Sequence, residues 1–154
     1  MFYTLYLFFF CCAITTALCC KITQGCGTPY EELEAIRTYL NSYHYTATGD
    51  SPEGGRDFAD AFLFDTMTGY CTSFATAMAI LGRCRKIPTR YVEGFATDRT
   101  CDTENSEILL GGSSAHAWTE AYLEPIGWVP PEIHGAQRKT VESAIPGGRN
   151  ASEI

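Results

Sequence analysis

Three residues of this chain have the types and settings that covalent acyl transfer requires: Cys71, His116 and Glu132. Cys71 stands in Gly69-Tyr70-Cys71-Thr72-Ser73-Phe74-Ala75, where a glycine gives way to helix-like spacing of apolar residues. A thiol must lose its proton before it attacks a carbonyl carbon. The first turn of a helix favours that anion, because its N–H groups lack intrahelical partners and the dipole is positive there. One of those N–H groups can also form half of an oxyanion hole. His116 opens a strand-like run in Ser114-Ala115-His116-Ala117-Trp118, with an alanine on each side leaving room for its ring. Glu132 ends Gly127-Trp128-Val129-Pro130-Pro131-Glu132. A nucleophile, an imidazole base and an orienting carboxylate are the parts of a Cys/His/acid triad. Taken singly, Cys71 reads better as a structural cysteine and His116 better as a packed or surface histidine; the combination tips the balance.

These residues need elements to hold them. Thr28-Pro29-Tyr30-Glu31-Glu32 reads as a helix start, with Thr28 as cap, proline at the first position and acids in the first turn. Leu33, Ile36, Tyr39 and Leu40 give that helix one apolar face. Residues 41–57, rich in glycine, read as loop, and Asp57 to Phe64 as a short apolar piece ending in Phe62-Leu63-Phe64. A helix is expected from Cys71 to Lys86, with a bulky stripe at Phe74, Met78 and Leu81. Its small stripe at Ala75, Ala79 and Gly82 suits close packing on a sheet, and Pro88 ends it.

Thr89 to Phe95 reads as a strand and 96–112 as a polar loop. His116 to Leu123 reads as a second strand, with His116, Trp118, Glu120 and Tyr122 on one face and Ala117, Thr119, Ala121 and Leu123 on the other. A third strand begins at Trp128. A three-residue turn at Leu123-Glu124-Pro125 would set Glu132 across from His116 on the same face. A one-residue register change would turn it away. Glu120 shares the His116 face but lies far along it, Asp98 and Asp102 fall in the loop, and His44 and His134 read as surface residues.

The 154 residues, 45% apolar and 19% charged, suit one globular domain. A net charge of −7 argues against a nucleic-acid partner. No Cys-x-x-Cys pair of metal-like spacing occurs outside the first twenty residues, so neither metal nor cofactor is expected. Cys84 and Cys101 could pair in an oxidising compartment, with free core cysteines the commoner alternative. Residues 1–20 carry no charge and read as a membrane anchor or signal-like segment. Residues 21–27 read as a linker, 28–135 as the domain and 136–154 as an irregular tail.

The motifs resemble a known family. Gly69 to Ala77 resembles the nucleophile motif of transglutaminase-like domains, and Ile87-Pro88-Thr89-Arg90-Tyr91-Val92-Glu93-Gly94-Phe95 the segment after it. His116-Ala117-Trp118-Thr119-Glu120-Ala121-Tyr122 resembles the histidine motif, and Gly127-Trp128-Val129-Pro130 with Glu132 the acid motif. The resemblance spans about residues 28–133 and is nearest the microbial branch, which implies a membrane-tethered or secreted chain with its domain outside the cytoplasm. It implies an α+β, papain-like fold in which the nucleophile helix packs on an antiparallel sheet. It also implies a protein or peptide substrate, with Cys71 as nucleophile, His116 as base and acid, Glu132 orienting His116, and Tyr70 and Trp118 contacting substrate. The expected chemistry is a thioester on Cys71 formed from a glutamine-type or peptide amide, then passed to an amine. A cysteine protease or amidase using water, and a silent binding module, are the rival readings. Lys86 stands where the family commonly has glycine, so that helix end is expected to need a strained backbone or another cap.

Overall fold

Thr28 starts the helix the sequence leads one to expect. Its hydroxyl accepts from the Glu31 N–H at 3.2 Å while the Glu31 carboxylate accepts from the Thr28 N–H at 3.2 Å, a reciprocal capping box. The structure, a computed structural model, describes residues 13–46, 57–96 and 114–131. Its elements in chain order are α1 (Ala13–Ile22), α2 (Pro29–Leu40), β1 (His44–Tyr45), α3 (Phe58–Asp60), a π-helical turn (Ala61–Thr66) and β2 (Thr68–Gly69). Then come α4 (Cys71–Cys84), β3 (Thr89–Phe95), β4 (Ala115–Leu123) and β5 (Gly127–Val129). The tail from 132 and most of the 96–112 loop lie outside the described residues.

Helix α4 is the centre of the molecule. Its bulky stripe, Phe74, Met78 and Leu81, meets Leu33, Ile36 and Leu40 of α2 and Phe62 and Leu63 of the π-helical turn in one buried cluster. Each such side chain contributes about 1.5–3 kcal/mol by leaving water. Its small stripe faces the sheet as expected. The Thr119 hydroxyl donates to the Ala75 carbonyl at 2.6 Å, and the Thr89 hydroxyl to the Ala79 carbonyl at 2.7 Å. Gly82 must be glycine for this approach, since a Cβ there would stand 2.7 Å from Thr89 Cγ2.

The sheet is antiparallel, in the order β3-β4-β5, with Thr89 opposite Ala121 and Gly94 opposite His116. Ala117, Thr119, Ala121 and Leu123 are buried under α4, while His116, Trp118, Glu120 and Tyr122 occupy the other face, as their alternation predicts. The β4–β5 turn is Glu124–Ile126, one residue later than expected, with Leu123 opposite Gly127 and Ala121 opposite Val129. This moves the pairing by two residues, so even-numbered positions of both strands still share the His116 face.

Two parts differ from the sequence reading. Helix α1 crosses the expected boundary between residues 20 and 21 and belongs to the packed unit: Thr15 donates to Asp60 at 3.1 Å and the buried Cys19 thiol to the Leu81 carbonyl at 3.2 Å. Among the described residues no helix is long and apolar enough to cross a membrane. Within the segment read as loop, His44 and Tyr45 pair in parallel with Thr68 and Gly69, a long-range contact that local composition does not encode.

The end of α4 bears out the expectation about Lys86. The Lys86 N–H reaches the Arg83 carbonyl at 2.8 Å and the Ile87 N–H the Gly82 carbonyl at 3.0 Å, the paired bonds of a Schellman cap. That cap puts Lys86 at φ 64°, where a side chain meets the backbone. Lys86→Gly is therefore expected to stabilise the fold by roughly 0.5–1 kcal/mol, strain relief being partly offset by glycine's greater unfolded freedom. Urea unfolding checks this: the midpoint should rise at unchanged slope.

Candidate active site

Cys71 is the first residue of α4, half-buried, after Tyr70 in an extended conformation (φ −119°, ψ −171°) that gives no side-chain cap. The Tyr70 carbonyl accepts from Ser73 and Phe74 at 2.9 and 3.2 Å, which closes the first turn. Gly69 permits this geometry, since a Cβ there would stand 2.6 Å from the Ser73 side chain and 3.0 Å from the Phe62 ring.

The thiol has a phenol beside it. The pairing of β1 with β2 sets Tyr45 opposite Gly69, two residues before Cys71. Burial first, and then the neighbouring thiol, holds the Tyr45 phenol above its ordinary pKa, so it stays protonated at neutral pH. Its ring lies 5.8 Å from that of Phe74, which in turn meets Phe62 edge-on at 4.9 Å. Tyr91 stands near the same thiol. Its hydroxyl donates to the Glu93 carboxylate at 2.7 Å, and burial, Glu93 and then Cys71 push its pKa up.

Helix α4 runs alongside β4 in the same direction. Ala75 meets Thr119, whereas Ala79, further along the helix, meets Thr89, the partner of Ala121. The start of α4 thus lies toward the His116 end of β4. His116 is half-buried and emerges on the face away from α4, opposite Gly94. Burial lowers its pKa below 6.5, which keeps the imidazole neutral and able to accept a proton at pH 7. Among the described residues no hydrogen bond joins the His116 ring to Cys71. Catalytic hydrogen bonds of ligand-free enzymes are often long and tighten on substrate binding. Glu132 lies outside the described residues.

Trp118 is half-buried on the His116 face, its ring against Gly94, and its indole N–H donates to Glu120 at 3.3 Å. Glu120 is also held by Arg90, whose Nε donates at 2.7 Å, so this carboxylate is already engaged. Arg90 lies over the Trp128 ring, 4.3 Å from its centre, and Trp128 meets Tyr122 edge-on at 5.5 Å. The outer sheet face beside His116 is therefore aromatic, with a guanidinium on it. Sequence reasoning singled out Tyr70 and Trp118 and missed Tyr45, whose only local signal was an aromatic residue in a polar segment.

Cys84 is disulfide-bonded, and its expected partner Cys101 lies outside the described residues; Cys19, Cys20, Cys26 and Cys71 are free.

The family model for the transglutaminase-like superfamily matches residues 16–133, from within α1 through the expected acid motif. The chain belongs to the transglutaminase-like superfamily. The protein YebA of Bacillus subtilis is 33% identical over 118 residues, which are 73% of this chain and 16% of YebA. A protein-glutamine gamma-glutamyltransferase of Pseudomonas aeruginosa is 33% identical over 113 residues, 73% of this chain and 17% of the enzyme. The chain thus spans about a sixth of the length of these relatives. Among solved structures, the periplasmic domain of TgpA from Pseudomonas aeruginosa superimposes with a TM-score of 0.63 at 32% identity. The match covers 77% of this chain and 41% of that one. A candidate cysteine protease from Cytophaga hutchinsonii shares the fold, with a TM-score of 0.55 at 22% identity over 76% of this chain and 35% of that one. The fold is the papain-like α+β core of the superfamily, with α4 packed on the antiparallel sheet.

Proposed function

We propose that the domain is a cysteine acyl-transfer enzyme that attacks a glutamine-type amide, forms a thioester on Cys71 and passes the acyl group to an amine. The observation that carries this reading is the position of Cys71, half-buried at the first turn of the central helix. The gamma-glutamyltransferase relative supports the choice of glutamine amide as donor. His116 takes the thiol proton and returns it to the departing ammonia. Glu132, following β5, orients the imidazole. Trp118 and Tyr70 flank the acyl chain, and a protein or peptide is the donor. The same reading places the domain outside the cytoplasm, supported by similarity to a periplasmic domain and by the Cys84 disulfide, which oxidising compartments preserve. Of residues 1–20, proposed to attach the domain to a membrane, 13–20 belong to α1, with Thr15 and Cys19 buried.

The test is to incubate the protein with a glutamine peptide and a fluorescent primary amine and follow both by mass. Labelled peptide with release of ammonia is the expected result. Deamidated or cleaved peptide with no label would replace transfer by hydrolysis. An unmodified peptide together with an unacylated Cys71 would leave only a binding module.

A further inference from the structure

We propose that Glu120 is a positioning residue that fixes the indole of Trp118 beside His116, an assignment that rests on the reading above of Trp118 as a wall for the acyl chain. The side of β3 and β4 turned away from α4 carries three successive rungs: Arg90 opposite Glu120, Val92 opposite Trp118 and Gly94 opposite His116. The indole sits on the middle rung and reaches both of its neighbours. Its N–H donates to Glu120 Oε1 at 3.3 Å. Its far edge lies over Gly94, where a Cβ would stand 2.9 Å from Cη2 and 3.1 Å from Cζ3. The missing side chain at position 94 leaves a gap across from His116, and the indole fills it.

Glu120 is itself held. Its other oxygen, Oε2, accepts from Arg90 Nε at 2.7 Å and from Arg90 Nη2 at 2.5 Å, so each carboxylate oxygen serves a different neighbour. Arg90 in turn lies over the Trp128 ring, 4.3 Å from its centre. A carboxylate tied in this way keeps one rotamer, and its charge-assisted bond to the indole N–H selects one orientation of the ring. Without that bond the half-buried indole is held only at its Gly94 edge and is free to swing toward solvent. A wall ordered before the substrate arrives spares binding the cost of ordering it. Glu120 stands four residues from His116 along β4, roughly 13 Å at the rise of a strand, so it acts through Trp118 and not on the reacting atoms.

Glu120→Gln keeps an oxygen for the indole N–H, Glu120→Leu removes it at similar volume, and Gly94→Ala crowds the ring from its other edge. Each would be made in the full chain and assayed for amine incorporation into a glutamine peptide and for alkylation of Cys71 by iodoacetamide. With Trp128→Phe added, Trp118 is the only tryptophan left, and acrylamide quenching of its fluorescence reports how firmly the ring is held. The expected result for Glu120→Leu and Gly94→Ala is a rise of roughly 3- to 10-fold in the peptide KM, the worth of ordering one side chain, with kcat within about twofold. Quenching should rise in both, alkylation should be unchanged, and Glu120→Gln should stay near the parent. Unchanged KM and quenching in Glu120→Leu would overturn the assignment. An equal loss in Glu120→Gln would also overturn it, by pointing to the charge instead of the indole bond, and so would a parallel fall in alkylation, which would mark general damage to the site. A parent chain that labels no glutamine peptide would remove the acyl-transfer reading, while the quenching of Trp118 would still decide whether Glu120 fixes the ring.

Discussion

Replacing Cys71 with alanine is expected to abolish the acyl-enzyme and lower turnover of any amide substrate by roughly 10⁴- to 10⁶-fold, the range seen when a triad nucleophile is lost. The fold should survive. Cys71 is only half-buried and contributes nothing to the main apolar cluster, and alanine is well tolerated at a helix start. The other described thiols make this a clean test. Cys19 is fully buried, and burial, only partly opposed by Arg85, pushes its thiol up to about 11. It should stay inert at neutral pH. Cys20 is exposed and Cys26 partly so, and these would be alkylated as ordinary surface thiols. Intact mass and peptide mapping after acyl-donor treatment decide the matter. An acyl adduct on Cys20 or Cys26, persisting with turnover in the alanine variant, would mean that the nucleophile has been misassigned.

How much of this was legible in the chain depends on how local each signal is. The cap at Thr28, the two stripes of α4 and the two faces of β4 are written in spacings of three or four and of two residues, and all are found as expected. Lys86 is a finer case: a lysine in a glycine position signalled backbone strain, and its φ is 64°. What local spacing misses are pairings across distance. Tyr45 acquires its meaning only when β1 lies beside β2, and the glycine-rich surroundings of residues 41–57 gave no sign of that. Apolar composition shows no boundary within residues 1–20, whereas in the described part Thr15 and Cys19 find their partners in Asp60 and Leu81. The β4–β5 turn was misplaced by one residue because Leu123 is the last paired residue of its strand, not the first of the turn. The face of His116, which matters for the site, depends on parity alone and survived the error.

His116→Gln should cost activity on the same scale as loss of the nucleophile, and the pH profile of the parent chain tells whether the imidazole acts as the free structure implies. The imidazole must be neutral to take the thiol proton, so activity falls as pH drops through its pKa. Burial has lowered that pKa below 6.5, so the acid limb of kcat/KM, which reports the free enzyme, should have its midpoint below 6.5. Stability follows the same sign. Between 6.5 and the lower folded value the unfolded chain binds the proton and the folded chain does not, so the contribution is whole above 6.5 and is lost as pH falls through that window. His116→Gln should lack that component of acid destabilisation. The limb of kcat reports the enzyme–substrate complex instead. A carboxylate closing on the ring would favour the imidazolium and move that second midpoint upward. If Glu132 orients the ring, the kcat midpoint should lie above that of kcat/KM, and Glu132→Gln should bring the two together. A kcat/KM midpoint above 6.5 would instead show that an anion already faces His116 in the free enzyme, so that burial does not govern its charge there.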